Sequence, residues 1–482
     1  MKKHLFTLFL AIFIGNIMAQ LTYTNNLNIS LIKTIDPEKT PYPSGDNRKY
    51  SGCWGWYQAG KNKEYAIVGT NSKTFFIDIT NPLFPVINDS VMGKGGPCTW
   101  RELKTYQNYC YVVSDVCLPN TFQIIDMQYL PDSVHVVYEG TSYFERAHTV
   151  WVDANKLYVG APTPFGAGGP FNMQVYSLAT PSVPVLLRTL SQDYPSLNYA
   201  HDMFARRDTV YASCGGQGLQ IYKLTGANTF TQLGSFTGYA QSGYNHSSYI
   251  TPDGKTLAFC DETPSTSFKI SNVTNLANIT MSSMVKPNLN PEFVAHNPFV
   301  VSNKYVYVSC YQDGLLLYDI SNPLLPTLAG YFDTYPQGGA NVGNNYGGTS
   351  YRGNWGAYPY FPSGVVLACD MQNGVFLLQP SATILAGIKD ESKATNGLPA
   401  SIYPNPTQNN LNVNFSAGNA KNYSIQIENV LGQTIYREEA LNDCNFPVTH
   451  KTIDVSELLS GAYFITIKAD DKSFQQKFII SK

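Results

Sequence analysis

Charge is scarce in this sequence of 482 residues. Asp, Glu, Lys and Arg make up only 14% of it, the formal net charge is −2 at pH 7, and no Lys/Arg cluster stands anywhere along it. Nucleic acid and anionic membrane both ask for a basic field, so neither is a partner of this chain. A sustained helical period in the apolar residues is also missing, and after the first twenty positions no apolar run is long enough to cross a bilayer. No Gly-x-Ser-x-Gly elbow, Walker loop, His-Glu-x-x-His or Cys-x-x-Cys occurs. Those absences remove the usual sequence warrants for hydrolase, nucleotide or zinc-protease chemistry.

What the sequence has instead is Tyr, Phe, Gly and Pro in quantity, with 34, 25, 38 and 29 copies. That balance suits short strands joined by tight turns. At the front, Lys2 and Lys3 precede an apolar stretch from Leu5 to Ile14, which Gly15 and Asn16 interrupt before the small residue Ala19. This is the pattern of a signal peptide spanning 1–19, cleaved after Ala19 to leave a soluble, exported mature chain with no transmembrane segment. Export permits disulfides among the nine cysteines. Cys214, Cys260, Cys310 and Cys369 recur at one point of successive repeats, too far apart to bridge, and read as small buried hydrophobes. Cys110 with Cys117 and Cys53 with Cys98 are the candidate bridges.

The repeats carry most of the information. Tyr65–Val91, Tyr109–Glu139, Lys156–Leu190, Thr209–Phe236, Thr256–Met284 and Tyr305–Thr334 share one grammar, and Val365–Gln379 is a shorter seventh copy. Each holds an alternating strand, a Gly or Asp turn, a second strand and usually a third after a Pro/Asn turn. The turn is clearest in Asp78-Ile79-Thr80-Asn81-Pro82 and Asp319-Ile320-Ser321-Asn322-Pro323. Proline stops the ladder there because it has no N–H to donate. A further short strand precedes each copy, as at Ala147–Asp153, giving four per repeat of roughly 50 residues, the content of a propeller blade. The seventh copy lacks its outermost strand, while Asn28–Ile35 reads as a strand with no blade of its own. The N-terminal strand is therefore expected to complete the last blade and close a seven-bladed, all-β propeller over 20–385.

The Asp-Ile-Ser-Asn-Pro turns resemble LVIVD repeats. Ser51-Gly52-Cys53-Trp54-Gly55, Trp100-Arg101, Arg146-Ala147-His148, Tyr199-Ala200-His201-Asp202, Tyr244-Asn245-His246 and Phe332-Asp333-Thr334-Tyr335-Pro336 resemble the choice-of-anchor B family. That resemblance implies a surface or secreted bacterial propeller and no agreed activity. After a charged linker at 386–397 the grammar changes to a small β-sandwich at 398–482. Tyr403-Pro404-Asn405-Pro406, Gly432, Gly461, Tyr463 and Lys477 lie in motifs that resemble the type A C-terminal sorting domain of the Bacteroidetes type IX secretion system. It implies a translocon, shuttle and sortase as partners, removal of the domain, and attachment to surface lipopolysaccharide or release. Asp89-Ser90-Val91, Asp132-Ser133-Val134 and Asp208-Thr209-Val210 resemble the O-glycosylation signal of the same phylum.

Candidate chemistry is spread across the repeats. His148, His201, His246 and His296 begin the first strands of four successive blades, with Trp54, Trp100 and Trp355 in comparable places on the other three. First strands line a propeller axis, so these side chains are expected to ring one mouth of the channel. Asp202, and Asp115, Asp261, Glu262, Asp313 and Asp370 at the ends of second strands, would bring carboxylates to the same face. Arg101, Arg146 and Arg352 are expected near it as anion partners or as partners of those acids. The aromatic loops 165–171 and 346–360 suit either sugar stacking or loop packing. Neutral imidazoles with carboxylates behind them suit one divalent metal ion in the channel. Four His each bonded to the backbone of the next blade would give the same pattern without a metal. Two functions stay open: a non-catalytic binding protein whose face meets a glycan, protein or small ligand, and a metal-dependent hydrolase or lyase at the His-ringed mouth.

Overall fold

The computed structural model describes residues 24–43, 45, 47–115, 122–164, 171–286, 293–338, 352–392, 400–415, 422–429, 432–441, 449–469 and 472–482. The leader at 1–19, Cys117, and the loop segments 165–170 and 346–351 lie outside them.

Alternation in the repeats becomes seven antiparallel sheets. Their own strands span 50–92, 101–140, 149–189, 202–236, 245–285, 297–332 and 354–380, called here the first to seventh blades. The innermost strand of each blade touches that of the next, from Tyr50–Gln58 round to Asn354–Tyr358 and back. Second and third strands are buried on both faces, which is why they read as continuous apolar runs such as Leu315–Asp319. Outer strands such as Val86–Met92 are half exposed and correspondingly polar. Turns repeat in atomic detail. Asp78 Oδ1 accepts the N–H of Thr80 at 2.9 Å and Asn81 Oδ1 that of Leu83 at 3.2 Å. Asp319 and Asn322 do the same for Ser321 and Leu324 at 2.9 and 3.2 Å. Side-chain acceptors thus shape the turn before proline ends it.

Ring closure follows the sequence expectation. Ile29–Ile35 pairs antiparallel with Gly374–Pro380 and supplies the outermost strand of the seventh blade. Just before it, Asn26–Leu27 pairs with Phe332 and Tyr331 as a fifth strand on the sixth blade. Asn28, at φ 56°, turns the chain between the two and donates from Nδ2 to the Ala329 carbonyl at 2.7 Å.

One expectation needs correction. Cys53 and Cys98 are both free and buried, so that bridge does not form. The end of the propeller stretch continues into the segment read as a linker as the helix Ala382–Ser392, whose Ile384 packs with Phe299 and Tyr305 in the core of the last two blades. Cys214, Cys260, Cys310 and Cys369 are free and buried, as expected of small hydrophobes.

The C-terminal block forms a three-stranded and a four-stranded sheet. They share a core of Leu411, Val413 and Phe415 with Ile425, Ile465 and Phe478. Tyr463 pairs with Phe478 and Lys477 with Phe464 across the last hairpin, which Gly461 begins opposite Ile480. Asn405 fastens its Pro-flanked turn to the final strand, accepting from Ile479 N–H at 2.9 Å and donating to the Lys477 carbonyl at 3.2 Å. Gly432 takes the left-handed turn at φ 79°.

Candidate functional site

In the third, fourth and sixth blades the residue just before the first strand donates its N–H to the end of the second strand. His148 reaches Gly160 at 3.1 Å, His201 reaches Ser213 at 2.8 Å, and His296 reaches Ser309 at 2.9 Å. In the fifth and seventh blades His246 and Trp355 stand at a register shift in the same place, a bulge that turns the extra side chain out of the ladder. Trp100 holds the position in the second blade. These local rules assemble one tier. Ring centroids run 4.0 Å from His148 to His201, 4.5 Å to His246, 4.2 Å to His296 and 4.0 Å to Trp355. Trp355 then stacks on Trp100 at 4.4 Å.

Each imidazole is fixed through Nδ1. That atom lies 2.6 Å from Asp115 Oδ2 in His148, 3.0 Å from the Tyr244 hydroxyl in His201, 3.1 Å from the His296 carbonyl in His246, and 2.6 Å from the Trp355 carbonyl in His296. Tyr244 is hydrogen-bonded in turn to the Tyr199 hydroxyl. Bonding to the next blade's backbone therefore holds for His246 and His296. It uses only one nitrogen of each ring. The Nε2 atoms of His201, His246 and His296 are buried without a hydrogen-bond partner.

Electrostatics divide the tier. Burial disfavours the cation at every ring. At His148 the Asp115 carboxylate, with Glu102 and Asp202 farther off, outweighs that and lifts the imidazole to about 9. His201 and His246 are held well below the ordinary range by burial and by the neighbouring imidazoles, and burial takes His296 down to about 3. Burial pushes the Glu262 carboxyl up, against the hydrogen bond it receives from Tyr311. Its Oε2 stands 3.7 Å from His246 Nε2.

Above the tier opens a depression of about 490 Å³, lined by Trp100, Asp115, Arg146, His148, Tyr199, His201, His246, Glu262 and Trp355 among others. Below it a second aromatic tier fills the channel. Trp151 lies 5.9 Å from Trp54 and 4.9 Å from Phe204, which meets Tyr249 at 4.2 Å. Lys104 Nζ sits 4.3 Å over Trp54. Only about 50 Å³ remains between the tiers, room for a few waters and no more.

The structure thus brings Trp100, Arg146, His148, His201, His246, Glu262 and Trp355 together at one mouth, with His296 just beneath. Other expected members stand elsewhere. Trp54 belongs to the lower tier, because in the first blade the register places Ser51 at mouth height. Arg101 is 1% exposed and donates from Nε to the Thr70 carbonyl at 3.0 Å, since strand alternation turns it away from the face Trp100 uses. Asp261 forms a fully buried ion pair with Lys269 at 3.0 Å. Asp370 accepts from Thr334 at 2.8 Å and caps its own turn, and Asp313 is buried in the equivalent turn of the sixth blade. Asp202 lines the space between the tiers, where burial lifts its carboxyl to about 6. Arg352 is outside the lining of the depression. Sequence reading missed Tyr199 and Tyr244, which precede His201 and Asn245, and the lower tier. Its signal was an aromatic three residues after the mouth position of every blade but the second, where Leu103 stands: Trp54, Trp151, Phe204, Tyr249, Phe299 and Tyr358.

Comparison with known proteins bears on the sixth blade and on the C-terminal block. Residues 401–481 match the Secretion system C-terminal sorting domain. Residues 299–334 match the LVIVD repeat, and they cover the sixth blade. The sorting domain signals export by the type IX secretion system to the cell surface or outside. No described helix is long and apolar enough to cross a membrane. No curated protein matches the chain. Among solved structures it is similar to PorZ, an essential bacterial surface component of the type IX secretion system of Porphyromonas gingivalis. That likeness has 12% identity and a TM-score of 0.45, covering 93% of this chain and 61% of the PorZ chain. It is also similar to YCF48 bound to D1 peptide, at 10% identity and TM-score 0.48, covering 75% of this chain and 98% of that one. The β-propeller domain of Myceliophteria thermophila Cps50 (Swd1) has 12% identity and TM-score 0.45, with 70% and 98% covered. These likenesses concern the fold alone.

Proposed function

We propose that this type IX-exported propeller is a binding protein, and that it meets its ligand at the His-ringed mouth. The observation that carries the reading is the depression of about 490 Å³ whose wall includes the stacked Trp100–Trp355 pair, with Arg146 and the imidazoles in the same lining. Trp355 stacks on Trp100 and Arg48 lies over the Trp100 ring at 5.4 Å, so the pair offers indole edges to a sugar or other apolar surface, and the Arg146 guanidinium adds an anion contact. The seven first strands make the frame rigid, so little ordering cost accompanies binding. The filled lower tier makes the mouth a blind cup, so the ligand enters and leaves by one face.

A second reading is a metal-dependent hydrolase or lyase at the same mouth. It is favoured by Glu262, a carboxylate 3.7 Å from His246 Nε2 and so within reach of a group bound among the imidazoles.

Screening the full-length secreted protein against a glycan array and a panel of small carboxylates and phosphates tests the binding reading. Binding lost in Trp100→Ala and weakened in Arg146→Ala supports it. Binding that neither change affects, or no binding across both panels, argues against it.

A further inference from the structure

We propose that the mouth binds one divalent transition-metal ion through the Nε2 atoms of His148, His201 and His246. The placing of an outside ligand on that ion rests on the binding reading above. The ion itself is argued from the imidazoles alone.

One ligand atom from each of the three rings lies within 4.8 Å of the other two. An ion with tetrahedral bonds of about 2.0–2.1 Å to nitrogen holds its donors roughly 3.3–3.4 Å apart, so the rings need draw in by up to about 1.5 Å. Their orientation is already set. A carbonyl oxygen can only accept, so the 3.1 Å contact from His246 Nδ1 to the His296 carbonyl puts the proton on Nδ1 and leaves the lone pair on Nε2. The carboxylate of Asp115 imposes the same proton position on His148, in the carboxylate–histidine pairing that raises the basicity of a metal-binding nitrogen. Tyr244 holds Nδ1 of His201.

Burial supplies an independent argument. His246 is 3% exposed, lines the depression, and has an Nε2 with no partner; His201 Nε2 is likewise buried and unpartnered. Neighbouring buried ring nitrogens with no hydrogen-bond partner are a costly arrangement for a protein to keep unless something satisfies them together. A single cation does so once it displaces the second proton that Asp115 favours on His148, and the neutral imidazoles then select zinc, copper, cobalt or nickel over magnesium or calcium.

A rival group, His246 with Glu262 and His296, has the same spacing. It is the weaker candidate for two reasons. Glu262 already receives the Tyr311 hydroxyl, and His296 is fully buried beneath the lining of the depression. The chosen group opens on the depression and so leaves a coordination position free. Arg146 shares that space, so the ligand completing the shell would be a small oxyanion, a carboxylate or phosphate.

The test uses untagged full-length protein, stripped with chelator and titrated with Co²⁺, whose visible spectrum reports bound nitrogen donors, then with Zn²⁺ in competition. One equivalent of Co²⁺ is expected, with affinity lowered about 100-fold in His148→Ala and in His201→Ala and about unchanged in His296→Ala and Glu262→Gln. No Co²⁺ spectrum in the folded wild type overturns the site. Loss in His296→Ala and Glu262→Gln, with His148→Ala intact, moves the ion to the rival group and overturns this assignment. Should His246→Ala unfold the tier, the partly exposed His148 and His201 carry the test, and the wild-type spectrum needs no variant. Stripped protein that still binds a panel ligand, with no Co²⁺ site, ends the metal proposal and leaves the binding reading standing. A Co²⁺ site with no panel ligand does the reverse.

Discussion

Trp100 and Trp355 stack at 4.4 Å with their planes 10° apart, although their blades are not neighbours. The first blade lies between them, and at mouth height it offers Ser51, whose hydroxyl stays within the backbone by accepting from Arg101 N–H at 3.0 Å. One small residue in a ring of large ones lets two indoles close the gap.

Removing either indole should separate two roles. Trp355 is 4% exposed, packs on His296 and donates from Nε1 to Glu102 at 3.0 Å. Trp355→Ala should cost about 3–5 kcal/mol in urea denaturation. Trp100→Ala should cost only about 1 kcal/mol, the worth of an aromatic pair, while changing binding at the mouth. Equal losses would mean that the stack is not the main term at Trp100.

The seam gives a second test. Ile29 is 1% exposed and sits in the core that joins the last two blades. Ile29→Ala should cost about 2–4 kcal/mol. A chain beginning at Asp36 loses the whole closing strand, leaves sheet edges bare, and should aggregate or melt far below the full protein. Unchanged melting in the shortened chain would remove the closure argument.

Asp261 was expected at the ligand face and is instead structural. It pairs with Lys269 at 3.0 Å, both fully buried, and also accepts from Tyr239 at 2.8 Å. Lys269→Met should cost about 3–5 kcal/mol by stranding a buried carboxylate, and adding Asp261→Asn should recover a large part. Neither change should alter ligand or metal binding. A loss below about 1 kcal/mol in the single variant would show the pair to be unimportant.

Much of this was legible in the residues, and the failures have physical causes. Strands, Asn-Pro turns and the closing strand follow from alternation and from proline's missing donor, which act locally. The mouth needed register. His148, His201 and His296 directly precede their strands, so their height in the channel follows from the repeat alone. Trp54 was misplaced by three positions because its blade shifts register between Tyr50 and Cys53, which residue types do not announce. Arg101, one residue beyond Trp100, turns to the opposite face of its strand. Asp313 and Asp370 look like ligands in sequence, yet residues ending a second strand serve equally well to cap the turn that follows.

Asp370 also predicts a pH dependence. Burial, opposed by bonds from Gln372, Asn373 and Thr334, raises its carboxyl from the ordinary 3.8 to about 7. A raised value means that the folded chain holds the proton more tightly. The stabilisation is therefore full below about pH 4 and is lost as pH rises through about 7. Asp370→Asn keeps the neutral form throughout, so its melting temperature relative to wild type should climb between pH 4.5 and 8. A flat difference would contradict the assignment.

Export is testable by truncation. A chain ending at residue 397 should fold its propeller and accumulate in the periplasm. Asn405→Ala, which frees the turn from the Lys477 carbonyl and the Ile479 N–H, should impair sorting in the same direction. Finding the truncated chain at the cell surface would separate export from the C-terminal block.

The segment that turns at Asn28 lies along both the sixth and seventh blades, pairing with Tyr331 and Phe332 and then with residues 375–380. Synthesis and passage through a membrane run in one direction, so this segment is among the first to arrive and has nothing to pair with until almost the entire propeller has followed it. Individual blades can form by local hairpins on the way, but the circle cannot. Closure is therefore a late event in time as well as in space, because the partners of the N-terminal strand at residues 375–380 come last among the blades.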